Sequence, residues 1–78
     1  MCRSIRPLFN YSPPVTELEI HEAALQFVRK ISGSRQPSAI NEKAFNKAVK
    51  DIATTSQTLL LALQTKQAPK KREAHDKH

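Results

Sequence analysis

Covalent chemistry, if this chain has any, would start at its opening residues, Met1-Cys2-Arg3-Ser4-Ile5-Arg6. An initiator methionine is ordinarily removed before a residue as small as cysteine, which would leave Cys2 with a free α-amine. Such an amine titrates near about 8, and Arg3 and Arg6 would favour the thiolate. A terminal residue whose own amine acts as general base is a known nucleophile arrangement. Enzymes built that way carry a large α/β scaffold with an oxyanion site, and this chain has no length for one. The plainer reading of Cys2 is a thiol packed against the helices, or a redox-sensitive surface thiol.

The other candidates for chemistry are sparse. His21 falls at the margin between an apolar stripe and solvent, where a surface or half-buried histidine is the ordinary outcome. His75 and His78 flank Asp76 in a polar tail, a pattern that binds a divalent ion only loosely. One glycine cannot make a phosphate-cradling loop. Glu17, Glu19 and Glu22 are explained by capping and by the positive end of a helix dipole. We therefore expect no enzyme, no cofactor, no metal site and no small-molecule substrate.

Basic residues are more informative. The 78 residues hold 13 Lys plus Arg against 7 Asp plus Glu, a net charge of +6, with a pI near 9.9. From Thr65 onward, Lys66, Lys70, Lys71, Arg72 and Lys77 stand against Glu73 and Asp76, so half the excess charge lies in the tail. Lys43, Lys47 and Lys50 recur at helical spacing opposite Phe45, Val49 and Ile52, which places three ammonium groups in one solvent-facing row. Asp51 is expected off to the side of that row. Arg29 and Lys30, with Arg35, form a second cluster that suits the negative end of a helix and could also hold a phosphate. A wet helix face and a solubilising tail account for these charges equally well. Read functionally, they form a surface for RNA or DNA phosphates, recognising charge and shape rather than base sequence.

These residues must be carried by a single small domain. Lone Cys2 excludes an intramolecular disulfide and any four-cysteine metal site, and points to a reducing, cytoplasmic setting. The longest apolar run, Leu59 to Leu63, is far below the roughly 20 residues of a membrane span. Prolines 7, 13 and 14 interrupt the N-terminal stretch, so no signal-peptide core is expected.

Two helices are legible. Thr16 with Glu19 three residues on is a capping box, and Val15 with Ile20 fits a hydrophobic staple. Ile20, Ala24, Phe27, Val28 and Ile31 make one stripe, and Gly33 is a natural left-handed cap. Helix A is thus predicted at about 17–32. Pro37 prevents its continuation, and Ser38 or Asn41 can cap helix B at about 42–64. Phe45, Val49, Ile52, Ser56, Leu59 and Leu63 alternate by four and three, as in a heptad seam, with Leu60 and Ala48 beside them. Ser56 is placed to bond back to the carbonyl four residues earlier.

The predicted fold is all-α: an antiparallel helical hairpin with an ordered, extended N-terminal arm and a disordered basic C-terminal tail. The arm, residues 1–15, is expected to lay Leu8, Phe9 and Tyr11 across the helices as a third packing element, giving a domain of residues 1–66 followed by the tail, 67–78. Leu18, Leu25 and Leu61 fall outside the main stripes. They could cover the arm or a second copy, making a four-helix dimer.

Several blocks, taken in order, resemble a known family: the opening Met-Cys-Arg-Ser-Ile-Arg; Pro13-Pro14-Val15-Thr16 before Glu19-Ile20; Ala23 through Gly33; Pro37-Ser38; Asn41; and Ala44-Phe45 with Ala48-Val49. The family is a bacterial group of short proteins known as domain of unknown function 2277. Its members often carry Asn at the place of Ser4 and Ala at that of Val15. The resemblance spans Met1 to about Leu63 and leaves the tail uncovered. It implies a helical, cytoplasmic, bacterial protein and brings no activity or catalytic residue with it.

The expected function is therefore binding, first as a nucleic-acid-associated accessory protein using Lys43, Lys47, Lys50, Arg29, Lys30, Arg35, Lys70, Lys71 and Arg72. The alternative is a protein-interaction module or homodimer using an apolar face. A Cys2 enzyme or redox sensor is the further alternative.

Overall fold

The structure is a computed structural model, and it describes residues 5–71. Helix α1 spans Glu17–Ser32 and α2 spans Glu42–Ala62. They pack against each other as a hairpin. No helix among the described residues is long and apolar enough to cross a membrane.

The capping box at the start of α1 is complete. The Thr16 hydroxyl accepts from the Glu19 amide at 3.1 Å, and the Glu19 carboxylate accepts from the Thr16 amide at 2.7 Å. Two of the amides orphaned at a helix start are thereby satisfied. At the other end Gly33 adopts φ 70 and its amide donates to the Arg29 carbonyl. A side chain is strained at that angle, so glycine is the favoured residue there.

The start of α2 is built differently. A 3₁₀ turn, Ala39–Asn41, leads into it, with the Asn41 amide donating to the Ser38 carbonyl at 2.9 Å. Neither Ser38 nor Asn41 caps the helix with its side chain. The Asn41 amide group donates instead to the Ser38 hydroxyl at 3.1 Å. The tight lead-in occupies the geometry that a side-chain cap would need. The back-bond expected of Ser56 is made by Thr58, whose hydroxyl donates to the Thr54 carbonyl.

Among the described residues five apolar ones are buried: Ile20, Ala24 and Val28 on α1, and Phe45 and Val49 on α2. Leu25, Ala48, Ile52 and Ala53 pack around this cluster. The expected stripes are thus correct at the middle of the pair and fail toward its ends. Phe27 and Ile31 on α1 are 42% and 67% exposed, and Leu59 and Leu63 on α2 are 55% and 43% exposed.

Helix lengths explain the failure. At about 1.5 Å per residue, α2 is several ångströms longer than α1. The Gln57 side-chain amide reaches the Glu17 carboxylate at 3.3 Å, which sets the first turn of α1 opposite Gln57. The last turn of α2 therefore runs past the start of its partner, and Leu59 has no helix across from it. At the other end the same antiparallel register sets Ile31 against the first turn of α2, where Glu42 and Lys43 offer no apolar cover. Leu25, by contrast, packs on the core rather than standing apart as expected.

The arm and the tail meet each other. Strand β1, Tyr11–Ser12, pairs in parallel with strand β2, Lys70–Lys71, so the arm's backbone partner is the tail rather than a helix. Asn10 organises the junction from φ 66, a left-handed angle that asparagine tolerates better than most residues. Its carbonyl accepts from the Lys70 amide at 2.9 Å, and its side-chain amide donates to the carbonyls of Gln67 and Ala68. Leu8, Phe9 and Tyr11 are half-buried. The pairing thus falls in the segment that composition assigns to the tail, through main-chain hydrogen bonds that no apolar period announces.

Candidate interaction surfaces

The helix pair has two broad faces of opposite character. On one, Glu17, Leu18 and His21 of α1 converge with Lys50, Thr54 and Gln57 of α2. With Ile20 and Ala53 they line an open cleft of about 370 Å³. Its polar groups are not arranged as a catalytic relay. His21 is exposed and makes no hydrogen bond among the described residues, while Glu17 accepts from Gln57. A positioned base needs an aligned partner and a site that excludes water.

The convergence of those residues fixes the sense of both helices, and so identifies the opposite flank. There α1 presents Ala23, Phe27 and Ile31, and α2 presents Ala48, Ile52 and Leu59. Phe27, Ile31 and Leu59 are exposed, and the other three are half-buried. At helical spacing no Lys, Arg, Asp or Glu falls among them. Glu19, Lys30 and Asp51 stand at the margins.

The lysine row is present but altered. Lys43, Lys47 and Lys50 are all exposed on α2. Asp51, expected to stand clear, instead pairs with Lys47 at 2.6 Å, one helical turn away. Both side chains are well exposed, 74% and 58%, so the pair adds little stability. Its consequence is electrostatic: the middle charge of the row is locally neutralised. Lys50 in turn borders the cleft.

The arginine cluster near Gly33 has a structural occupation. The Arg29 Nε donates to the Arg35 carbonyl at 3.1 Å, tying the end of α1 to the connection. Lys30 and Arg35 are exposed. Ser34 stiffens the same loop, its amide donating to the Ser32 hydroxyl at 3.2 Å and its hydroxyl to the Gln36 carbonyl at 2.8 Å. Lys70 and Lys71 belong to the arm–tail junction, with the Lys70 ammonium 6.0 Å from the centre of the Tyr11 ring. Cys2, Arg72, His75 and His78 lie outside the described residues.

Sequence reasoning assigned Phe27, Ile31 and Leu59 to the core and looked to Leu18, Leu25 and Leu61 for surplus apolar surface. A usable signal was nevertheless present. Beside its main seam, α2 carries a second one, Ala44, Ala48, Ile52, Thr55, Leu59 and Ala62, also spaced by fours and threes. Asn10 gave no comparable signal, because its role depends on a tail carbonyl brought to it by the fold.

Taken together, the fold and its surfaces define a small helical-hairpin protein. More specifically, the chain belongs to the family described as uncharacterized conserved protein (DUF2277), whose model matches residues 1–78. The match extends through the tail, beyond the Leu63 limit of the motif blocks. No curated protein and no solved structure matches the chain.

Proposed function

We propose that this protein works by binding rather than by catalysis, as a protein-interaction module that offers the apolar flank of its helix pair. The observation that carries this reading is the distribution of large apolar side chains. Ile20, Val28, Phe45 and Val49 are buried, while Phe27 and Ile31 toward the end of α1 and Leu59 beyond its start stand exposed along a flank with no charged residue at helical spacing. Scattered surface leucines need no explanation, but a shared apolar face rimmed by polar residues marks an interaction site. The test is capture of partners from the native cytoplasm with nuclease present. A partner that survives nuclease and is lost on Phe27→Glu supports the reading. Capture unaffected by Phe27→Glu, Ile31→Glu and Leu59→Glu removes it.

A second reading keeps the nucleic acid, on the specific observation that Lys43, Lys47 and Lys50 are all exposed along one side of α2. With Lys47 already paired to Asp51, Lys43 and Lys50 carry the free charge. Two neutralised phosphates on duplex DNA would give a slope of about −2 in log affinity against log salt. Fluorescence anisotropy with labelled RNA and DNA, comparing wild type with a Lys43/Lys47/Lys50→Glu triple variant, decides it. Micromolar binding lost by a folded triple variant is the expected result. Equal binding by that variant, or none by wild type at low salt, ends this reading.

A further inference from the structure

We infer that the arm–tail junction binds single-stranded nucleic acid, a base stacking on the Tyr11 ring and phosphates meeting Lys66, Lys70 and Lys71. These residues belong neither to the apolar flank nor to the Lys43, Lys47 and Lys50 row, so the inference stands apart from both readings above.

Tertiary pairing builds the site. Tyr11 and Lys70, far apart in the chain, are partners across the parallel pair of β1 and β2. Paired residues project to the same face of a sheet, and the Lys70 ammonium lies 6.0 Å from the centre of the Tyr11 ring. About 6 Å is the outer limit of direct contact between a cation and a ring, so Lys70 flanks the ring without covering it. Asn10 fixes the backbone around the pair. Its carbonyl accepts from the Lys70 amide, and its side chain donates to the Gln67 and Ala68 carbonyls, both at 3.3 Å. Lys66, next to Gln67, is drawn to the same corner.

Charge sets the class of ligand. Segments 5–15 and 63–71, which meet here, contain no Asp or Glu. Lys66, Lys70 and Lys71 are exposed and make no ion pair among the described residues, whereas Asp51 neutralises Lys47 on α2. Gathering like charges is unfavourable, and a bound polyanion relieves it. The ring adds a second requirement, because it offers a π-face to any planar base while lysines hold the phosphates. Bases in a duplex stack on one another and are closed to the ring, which restricts the ligand to a single strand.

Tyr11 supplies a local readout, since the chain has one Tyr and no Trp. Its ring-proton resonances move upfield when a base stacks on the ring. The full chain is titrated at low salt with oligothymidylate of about eight nucleotides, a length within the range bound by single-strand proteins. Resonance shifts and the anisotropy of a labelled oligomer are followed together. Saturable binding with an upfield ring shift is expected, its affinity falling with salt at a log–log slope of about −2 for three phosphate contacts. Tyr11→Leu should weaken binding about tenfold, and Tyr11→Phe should bind like wild type. A Lys66/Lys70/Lys71→Gln variant should lose binding at physiological salt while circular dichroism stays helical. Inorganic polyphosphate of similar length should bind more weakly and leave the ring unshifted.

No binding by wild type at low salt overturns the inference, as does an unshifted ring at saturation or full affinity in Tyr11→Leu. The ring shift is read on wild type, so it decides even if Tyr11→Leu fails to fold. Polyphosphate binding as tightly as oligothymidylate also overturns it, leaving a general polyanion surface. If binding is lost in the Lys43/Lys47/Lys50→Glu variant but kept in Lys66/Lys70/Lys71→Gln, the strand lies on α2: this inference falls and the nucleic-acid reading above stands.

Discussion

Phe45 and Phe27 are the same residue on paired helices, and each was expected to lie in a core stripe, yet they have opposite fates. Phe45 is 9% exposed and packs with Ala24, Val28 and Val49, whereas Phe27 is 42% exposed on the open flank. A helix has enough apolar circumference for more than one neighbour, and the hairpin covers only the sector facing the other helix. The middle of the pair is therefore closed, while its ends and one flank remain open. In a chain this small, a few closed contacts carry most of the stability.

The largest effect should come from removing Phe45. Phe45→Ala is expected to cost about 3 kcal/mol or more through the cavity it leaves. Phe27→Ala should cost less, roughly 1–2 kcal/mol, because 42% of its surface already stays in water. Urea melts of both variants check the contrast, and equal destabilisation at low concentration would abolish it.

The two helix starts offer a smaller contrast. Thr16→Ala should cost about 1 kcal/mol, since the amide of Glu19 loses its acceptor. Asn41→Ala should cost at most a few tenths, because its side chain caps no amide of α2. Equal losses in a urea melt would mean that the 3₁₀ lead-in, rather than the capping box, is the common determinant of both starts.

The smallest effect belongs to the arm–tail junction. Truncation after Lys66 removes β2 and the acceptors of Asn10, all of them exposed. Exposed hydrogen bonds exchange readily with water, so the expected loss is under about 1 kcal/mol. A fall of many degrees in melting temperature would show that the junction helps to hold the hairpin closed. Amide exchange at Lys70 offers a direct check on the pairing itself, with slowed exchange expected from its bond to Asn10.

Local signals were legible wherever neighbouring residues suffice. The capping box of Thr16 and Glu19, the left-handed Gly33 and the limits of α1 all follow from interactions within a few residues of one another. The end of α2 at Ala62 came within two residues, because helix termini fray and carry weaker marks. The buried residues were predicted as part of larger sets. Ile20, Ala24, Val28, Phe45 and Val49 were correctly placed, since a stripe records which side of a helix can be apolar.

How much of each stripe becomes core was decided only by tertiary structure. Periodicity is a property of one helix, whereas burial requires another element at the right height and on the right side. The register of Gln57 against Glu17 leaves Leu59 past the end of α1, and the polar first turn of α2 leaves Ile31 open. The same holds for charge: Asp51 sits four residues from Lys47, but only the side-chain conformations bring them to 2.6 Å and divide the lysine row. Asn10 and the tail are the extreme case, joined across 57 residues by hydrogen bonds to main-chain carbonyls. Every residue carries such a carbonyl, so residue identity alone could not single out the pairing. The sequence by itself determined two amphipathic helices and their order; the limited overlap of those helices determined which apolar residues became core and which remained surface.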